Sequence, residues 1–226
     1  MSREETIDAA VRAYEEKRDA FERFRVGVVA YFEVARELTA PPLPAVHSVK
    51  SRLKDPGHLR EKLLRKGSDG DPITAENLFQ RVTDLCGVRV LHLHQAQFQK
   101  IHAHIQKNVD DGDWVLGETP KAYSWDPEAK RGFEAMGLDT QIRESLYTSV
   151  HYLVRPNARS PVCCEIQVRT LFEEIWGEID HAINYPTASE SRACRDQLKV
   201  LARLVSTGTR LADSIFSTLD ETSGQR

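Results

Sequence analysis

Apolar residues recur at spacings of three and four towards both ends of this chain, and at spacings of two near its middle. Over residues 3–38, Ile7, Ala10, Tyr14, Phe21, Phe24, Val28, Tyr31, Ala35 and Leu38 follow the helical period, interrupted at Lys17. This predicts one long amphipathic helix. Ser2 with Glu5 three positions on gives it a capping-box start, and Pro41-Pro42-Leu43-Pro44 ends it. A second long helix is predicted over 190–219, with a seam of Cys194, Leu198, Leu201, Val205, Gly208, Ala212, Ile215 and Leu219. Packing of these helices on the core and self-assembly through them are both open readings.

Between them the pattern alternates between helix and strand. Helices are predicted over 59–66, over 75–83 with Thr74 as N-cap, over 98–108 and over 171–183. The last is read with Phe172, Ile175, Trp176, Ile179 and Ile183 on its buried side. Strands are predicted over 88–94, 149–155 and 162–169, the latter two forming a hairpin through the turn between Pro156 and Pro161. This is a mixed α/β block. Residues 110–141, rich in Asp, Gly and Pro but carrying Trp114, Trp125 and Phe133, read as a long lid or binding loop without regular structure. The organisation expected is a helical extension over 1–40, a central domain over 46–186 and a second helical extension over 190–226.

The chain has 226 residues, 29% of them charged, with a net charge of −3. A global basic field for non-specific nucleic-acid binding is thereby excluded, so any anion site must be local. Cys86, Cys163, Cys164 and Cys194 show no CxxC spacing and are expected as free thiols, mostly buried. The N-terminus lacks the apolar core of a signal peptide, and no run is long enough to span a bilayer. A soluble cytoplasmic protein is the expectation.

The candidate chemistry lies in four stretches. Asp84-Leu85-Cys86-Gly87-Val88-Arg89 and Glu165-Ile166-Gln167-Val168-Arg169 each place a carboxylate near an arginine on or beside an apolar strand. Alternation puts Glu165, Gln167 and Arg169 on one strand face. Asp84 is read at the mouth of the sheet, where a plain turn residue is the alternative. Glu165 sits among apolar neighbours, and a buried carboxylate is rare unless paired or metal-bound. Two such carboxylates around one cation suit a hard metal such as magnesium. Arg52, Lys54, Lys62, Arg65 and Lys66 form a basic stretch suited to a polyphosphate, a solvated helix face being the alternative. On a strand, Tyr147, Ser149 and His151 would share a face. His92, His94, His102 and His104 lack the convergent geometry of a zinc site.

In this order the stretches resemble the synthetase domain of the RelA/SpoT family. Arg52-x-Lys54 with Lys62 is similar to its R-x-K…K stretch, Asp84-Leu85-x-Gly87-x-Arg89 to D-L-x-G-x-R, and Tyr147-x-Ser149-x-His151 to G-Y-x-S-x-H. Glu165-Ile166-Gln167-Val168-Arg169-Thr170 is similar to E-I-Q-I-R-T, and Trp176 with Asp180-His181 to the W-A-x-x-E-H that follows. The resemblance implies a nucleotidyltransferase-like mixed sheet flanked by helices, and transfer of the β,γ-pyrophosphate of ATP to the 3′-hydroxyl of GDP or GTP. It implies Mg²⁺ on Asp84 and Glu165, with Glu165 also activating the hydroxyl. ATP phosphates would fall to Arg52, Lys54, Lys62 and Arg89, and the acceptor to Arg143, Tyr147, His151, Gln167 and Arg169. No hydrolase module of that family is recognisable.

The departures gather on the acceptor side: Leu146 stands where the family has glycine, and Ser145 where asparagine is frequent. Two other readings therefore stay open. One is a toxin-type relative that uses adenosine nucleotides or the tRNA 3′ end as acceptor. The other is a degenerate nucleotide- or RNA-binding sensor.

Overall fold

The computed structural model describes residues 2–67, 71–142, 147–184 and 189–223. Its first helix, α1 (Arg3–Val34), starts on the expected capping box: Ser2 accepts from the Glu5 amide while Glu5 returns a bond to the Ser2 amide. The single helix predicted to residue 38 is broken at Ala35, whose extended backbone separates a last turn, α2 (Arg36–Thr39). Next comes β1 (Ser48–Leu53), a strand that the pattern did not predict. α3 (Pro56–Lys66) follows, capped by Asp55 and with Pro56 in its first turn, where a missing N–H costs nothing.

The helix expected over 75–83 shrinks to α4 (Leu78–Arg81), and Asn77 rather than Thr74 is its N-cap. β2 (Cys86–His92) begins and ends two residues earlier than predicted, and α5 (Gln97–Asp110) matches its expectation closely. The expected loop over 110–141 is instead built: β3 (Val115–Leu116), β4 (Lys121–Tyr123), α6 (Pro127–Ala135) and β5 (Asp139–Gln141) occupy most of it. α6 starts on Asp126, which accepts from two backbone amides. β6 (Ser149–Arg155) and β7 (Cys164–Thr170) pair antiparallel as the predicted hairpin. α7 (Leu171–Asn184) and α8 (Arg192–Ser223) complete the described chain.

The sheet is mixed, in the order β1-β2-β7-β6-β4-β5, with β3 on the other part of β6. β2 and β7 run parallel, and β1–β2, β7–β6 and β6–β4 run antiparallel. One face carries Val88, Val90, Val150, Tyr152, Ile166 and Val168 into a core shared with Tyr14, Phe21, Val28 and Phe32 of α1. α1 is thus part of the main core, packed on β1, β2, β7 and α3. Burying such aromatics contributes about 2 kcal/mol each. α8 packs on α7, closing a second cluster of Trp176, Ala202 and Val205.

α7 overturns its predicted face. Phe172, Ile175 and Ile179 lie at the surface, whereas Glu173 and Glu174 are buried beside Trp176. The inversion has a physical cause in the partners available to the two acids, described below. Cys86, Cys163 and Cys164 are buried and Cys194 is half-buried, all four free.

Candidate active site

Directly paired residues in a sheet share a face, and the register builds the site from that rule. Arg52 of β1 pairs with Gly87 of β2, which pairs with Glu165 of β7. One step along, Lys50 pairs with Arg89, Arg89 with Gln167, and Gln167 with His151 of β6. The sheet face opposite the main core therefore carries a polar patch across four strands. Residues predicted from separate stretches of sequence meet there.

Asp84 stands in the turn before β2, where it meets two cations. Lys62 Nζ donates to Oδ1 at 2.5 Å and Lys54 Nζ to Oδ2 at 3.0 Å. Burial opposes ionisation of Asp84, but the Lys62 and Lys54 ammonium groups outweigh it and hold the carboxyl below its usual range. Glu165 is held in the same way. Burial raises its pKa, and the His151 ring and the Gln167 amide more than reverse that. His151 Nδ1 lies 3.1 Å from Oε1, and Gln167 Nε2 donates to Oε2 at 2.8 Å. Both carboxylates line one cavity of 310 Å³ together with Arg52, Arg89 and Gln167.

Two smaller spaces extend it. One of 270 Å³ is lined by Arg52, Lys54, His58 and His181; another of 370 Å³ by Arg89, Tyr147, Gln167, Arg169, Trp176 and His181. Shared lining residues make them lobes of one cleft. His181, on all three lobes, is placed there by α7. The cleft has a basic end and an aromatic end, with the two carboxylates between.

The predicted residues divide as follows. Asp84, Lys54 and Lys62 are brought into contact, and Arg52 joins them on the cleft wall. Arg65 and Lys66, read in the same basic stretch, are exposed on α3 and do not join. Arg89 reaches the cleft but is tied to Glu174 at 3.2 Å and also to Glu178. Tyr147 lies 3.3 Å from His151 Nε2 through its hydroxyl, which also accepts from Arg169 at 3.2 Å. Arg143, like Ser145 and Leu146, lies outside the described residues.

Arg169 is the most buried of the set. It bonds Glu174, both side chains being at most 5% exposed, and its guanidinium lies 5.5 Å from the Tyr147 ring centroid. Glu174 also accepts from Lys50 at 2.9 Å. With three cations around it, this acid is stable inside, and its pKa is lowered: burial opposes, and Arg169, Lys50 and Arg89 prevail. Lys50, Glu174 and Glu178 were missed in the sequence because their roles depend on the β1–β2–β7 register. A pair of glutamates four to five residues after Arg169 in an otherwise apolar helix was the available signal.

Among the described residues no three His, Cys, Asp or Glu side chains gather as a metal cage. Two ionised carboxylates on one cavity fit a different donor set, that of Mg²⁺, which keeps several waters and shares its shell with substrate phosphates. No helix among the described residues is long and apolar enough to cross a membrane.

GTP pyrophosphokinase YwaC of Bacillus subtilis is 25% identical over 166 residues, covering 70% of this chain and 68% of its own length. The crystal structure of small alarmone synthetase 1 from Bacillus subtilis matches with a TM-score of 0.69 at 19% identity, covering 93% of this chain and 97% of that one. The same synthetase bound to its product pppGpp gives 0.64 at 20% identity, with 92% and 97% covered. These structures share the fold. The model of the region found in RelA and SpoT proteins matches residues 51–190, from within β1 to beyond α7. That span takes in both carboxylates and more than half of the chain, and the chain belongs to the RelA/SpoT family.

Proposed function

We propose that the cleft transfers the β,γ-pyrophosphoryl group of ATP to the 3′-hydroxyl of GDP or GTP, yielding (p)ppGpp and AMP. The observation that carries this reading is the convergence of Asp84 and Glu165 on one cavity with cations at one end and Tyr147 at the other. Arg52, Lys54 and Lys62 bind the triphosphate. Lys54 and Lys62 exchange their Asp84 contacts for phosphate oxygens, so their charge is compensated before and after binding. Asp84 and Glu165 would hold Mg²⁺, which would supply charge neutralisation for the transferred group.

The acceptor ribose sits against Glu165, whose carboxylate takes the 3′-hydroxyl proton. The freed oxygen forms the new bond to the β-phosphorus, and the bond from that phosphorus to the α–β bridging oxygen breaks, that oxygen leaving with AMP. Tyr147 offers its ring to the base. His151 and Gln167 fix the Glu165 oxygens so that the one facing the hydroxyl is aimed. Arg169 holds Tyr147 in place, and Arg143 is assigned to the acceptor phosphates on the family resemblance alone. The catalytic unit is the 46–186 segment, supported by the flanking helices.

Incubation with γ-labelled ATP and, separately, GDP, GTP, ATP and tRNA tests the acceptor. Label is expected in the guanosine nucleotides only. Label confined to adenosine nucleotides or tRNA would assign the toxin-type reading, which the altered Ser145-Leu146 segment favours.

Self-assembly belongs to the same reading. Val200, Leu204, Leu211 and Ile215, at helical spacings on one side of α8, and Ile175 of α7 are each more than half exposed, an excess of exposed apolar residues of the kind that marks interfaces. Light scattering after gel filtration is expected to show an oligomer that Leu204→Lys with Leu211→Lys converts to monomer. A monomeric wild-type protein would remove this assignment.

A further inference from the structure

The aromatic lobe of the cleft carries a carboxylate that the transfer chemistry leaves unused. Among the described residues lining this 370 Å³ space, Asp180 of α7 is the single acid. The two guanidinium groups on the same lining are committed elsewhere. Arg169 holds Glu174 and the Tyr147 hydroxyl, and Arg89 holds Glu174 and Glu178. Neither pairs with Asp180, which is half-buried and whose Oδ1 accepts instead from Asn184 Nδ2 at 2.9 Å. A carboxylate has about four lone-pair sites, so one such bond leaves most of its accepting capacity unused.

α7 shapes the lobe around that acid. Trp176, Gly177, Asp180 and Asn184 follow one another at helical spacings and all line the space. Trp176 is buried, its ring centroid 6.5 Å from that of Tyr147. Asp180 comes one turn later, about 6 Å along the helix axis. At Gly177 the backbone approaches Arg169 so closely that a Cβ would stand 2.9 Å from Nη1. Bare backbone thus separates Trp176 from Asp180, and a planar ligand can lie close against it.

Stacking on the Tyr147 ring holds a base but cannot choose one, because every base has a π-face. The choice has to come from a group that reads the edge of the base by hydrogen bonds. We propose that Asp180 is this group, and that it selects guanine as the acceptor base. The assignment rests on the reading above that the acceptor base lies on Tyr147.

The edge chemistry is complementary. Guanine presents N1–H and the N2 amine side by side, and one carboxylate accepts from both. Its O6, next to them, accepts, and Asn184 Nδ2 has a second hydrogen to donate. Adenine presents a lone pair at N1, which the carboxylate repels, and has no amine at C2. Hypoxanthine keeps N1–H and O6 but lacks the amine, and so falls between the two. A site built to bond a particular donor rejects the analogue that lacks it, because its own polar group is left unpaired.

The test is equilibrium binding and needs no turnover. The full chain, saturated with Mg²⁺ and α,β-methylene-ATP to fill the donor end, is titrated calorimetrically with GDP, IDP and ADP. Wild type is expected to bind GDP about tenfold tighter than IDP and about a hundredfold tighter than ADP, the range of discrimination by base-edge hydrogen bonds. Asp180→Ala is expected to weaken GDP until the three agree within about threefold. Asp180→Asn keeps the size but brings a donor that adenine N1 accepts, and should lower the preference for GDP over ADP by about tenfold or more. Thermal melts establish that both variants fold. A lost packing contact would weaken all three nucleotides alike, whereas loss of edge reading moves their ratio. The proposal is overturned if wild type does not bind GDP, or binds ADP as tightly, or if the ratio is unmoved by both substitutions. The transfer reading fails by a different result, the absence of label in every acceptor.

Discussion

Asp84→Asn and Glu165→Gln are each expected to reduce pyrophosphoryl transfer by about a thousandfold or more, the range seen when a group that stabilises transition-state charge or moves a proton is removed. The two losses differ in kind. Asp84 is bonded by Lys54 and Lys62, and the neutral amide frees both ammonium groups. Metal-free ATP binding, measured in EDTA, is expected to be no weaker in Asp84→Asn than in wild type, while turnover with Mg²⁺ collapses. Glu165→Gln leaves that end of the cleft untouched. Its defect should fall on turnover, with ATP affinity preserved. Both carboxyls are held below the usual carboxylate range, so both are ionised throughout neutral and mildly acidic pH. Loss of activity through their protonation is expected only as pH falls below that range. Unchanged turnover in either variant would remove the metal and proton-transfer roles assigned here.

The second large effect concerns stability. Arg169→Ala removes the partner of Glu174 where the two side chains are 3% and 5% exposed, leaving an acid buried under α7. Breaking such a pair costs about 3–5 kcal/mol. Lys50 and Arg89 also reach Glu174, which places the expectation near the lower end, about 3 kcal/mol by urea denaturation. Arg169→Lys keeps the charge but loses the planar fork, and should recover only part of this. The sign of the pH dependence follows from Glu174, whose pKa is lowered on folding. Its contribution is full above the unfolded-state value and disappears as pH falls through the folded one. The gap between wild type and Arg169→Ala should therefore be widest at neutral pH and narrow in acid. A gap that is constant with pH would mean that packing against Tyr147, and not the ion pair, makes Arg169 important. Gly177 bears on the same contact, since a Cβ there would stand 2.9 Å from Arg169 Nη1.

The grouping of Asp84 with Lys54 and Lys62, and of Glu165 on the same cavity, was readable because these residues fall in short ordered stretches. Asp84, Glu165, Lys54 and Lys62 needed only the strands around them to be placed. Arg89 and Arg169 were legible as cations, but their tie to Glu174 was not, because it depends on α7 turning its acids inward. The apolar pattern of Phe172, Ile175 and Ile179 pointed the other way, and three nearby cations overrode it. β1 was hidden for a related reason. Lys50 and Arg52 alternate with Val49 and Ser51, a weakly apolar strand that gains stability only by pairing with β2. The segment over 110–141 was misread because its strands are two or three residues long, too short for alternation to register. The Asp126 cap and Pro127 at the start of α6 were visible in the sequence and pointed to a helix there.

β7 is the last strand to be synthesised, and it lies in the middle of the sheet. Until it arrives, β1 and β2 form one piece, and β6 with β3, β4 and β5 another. Nothing in the strand ladder joins them. A nascent chain on the ribosome therefore carries Asp84 and its lysines early, but the cavity proposed as the catalytic centre is not lined by both carboxylates until Glu165 emerges and inserts between the two pieces. Such late, long-range pairing is slow relative to local contacts. On the proposed reading, a chain that stops before β7 lacks Glu165 and cannot carry out the transfer.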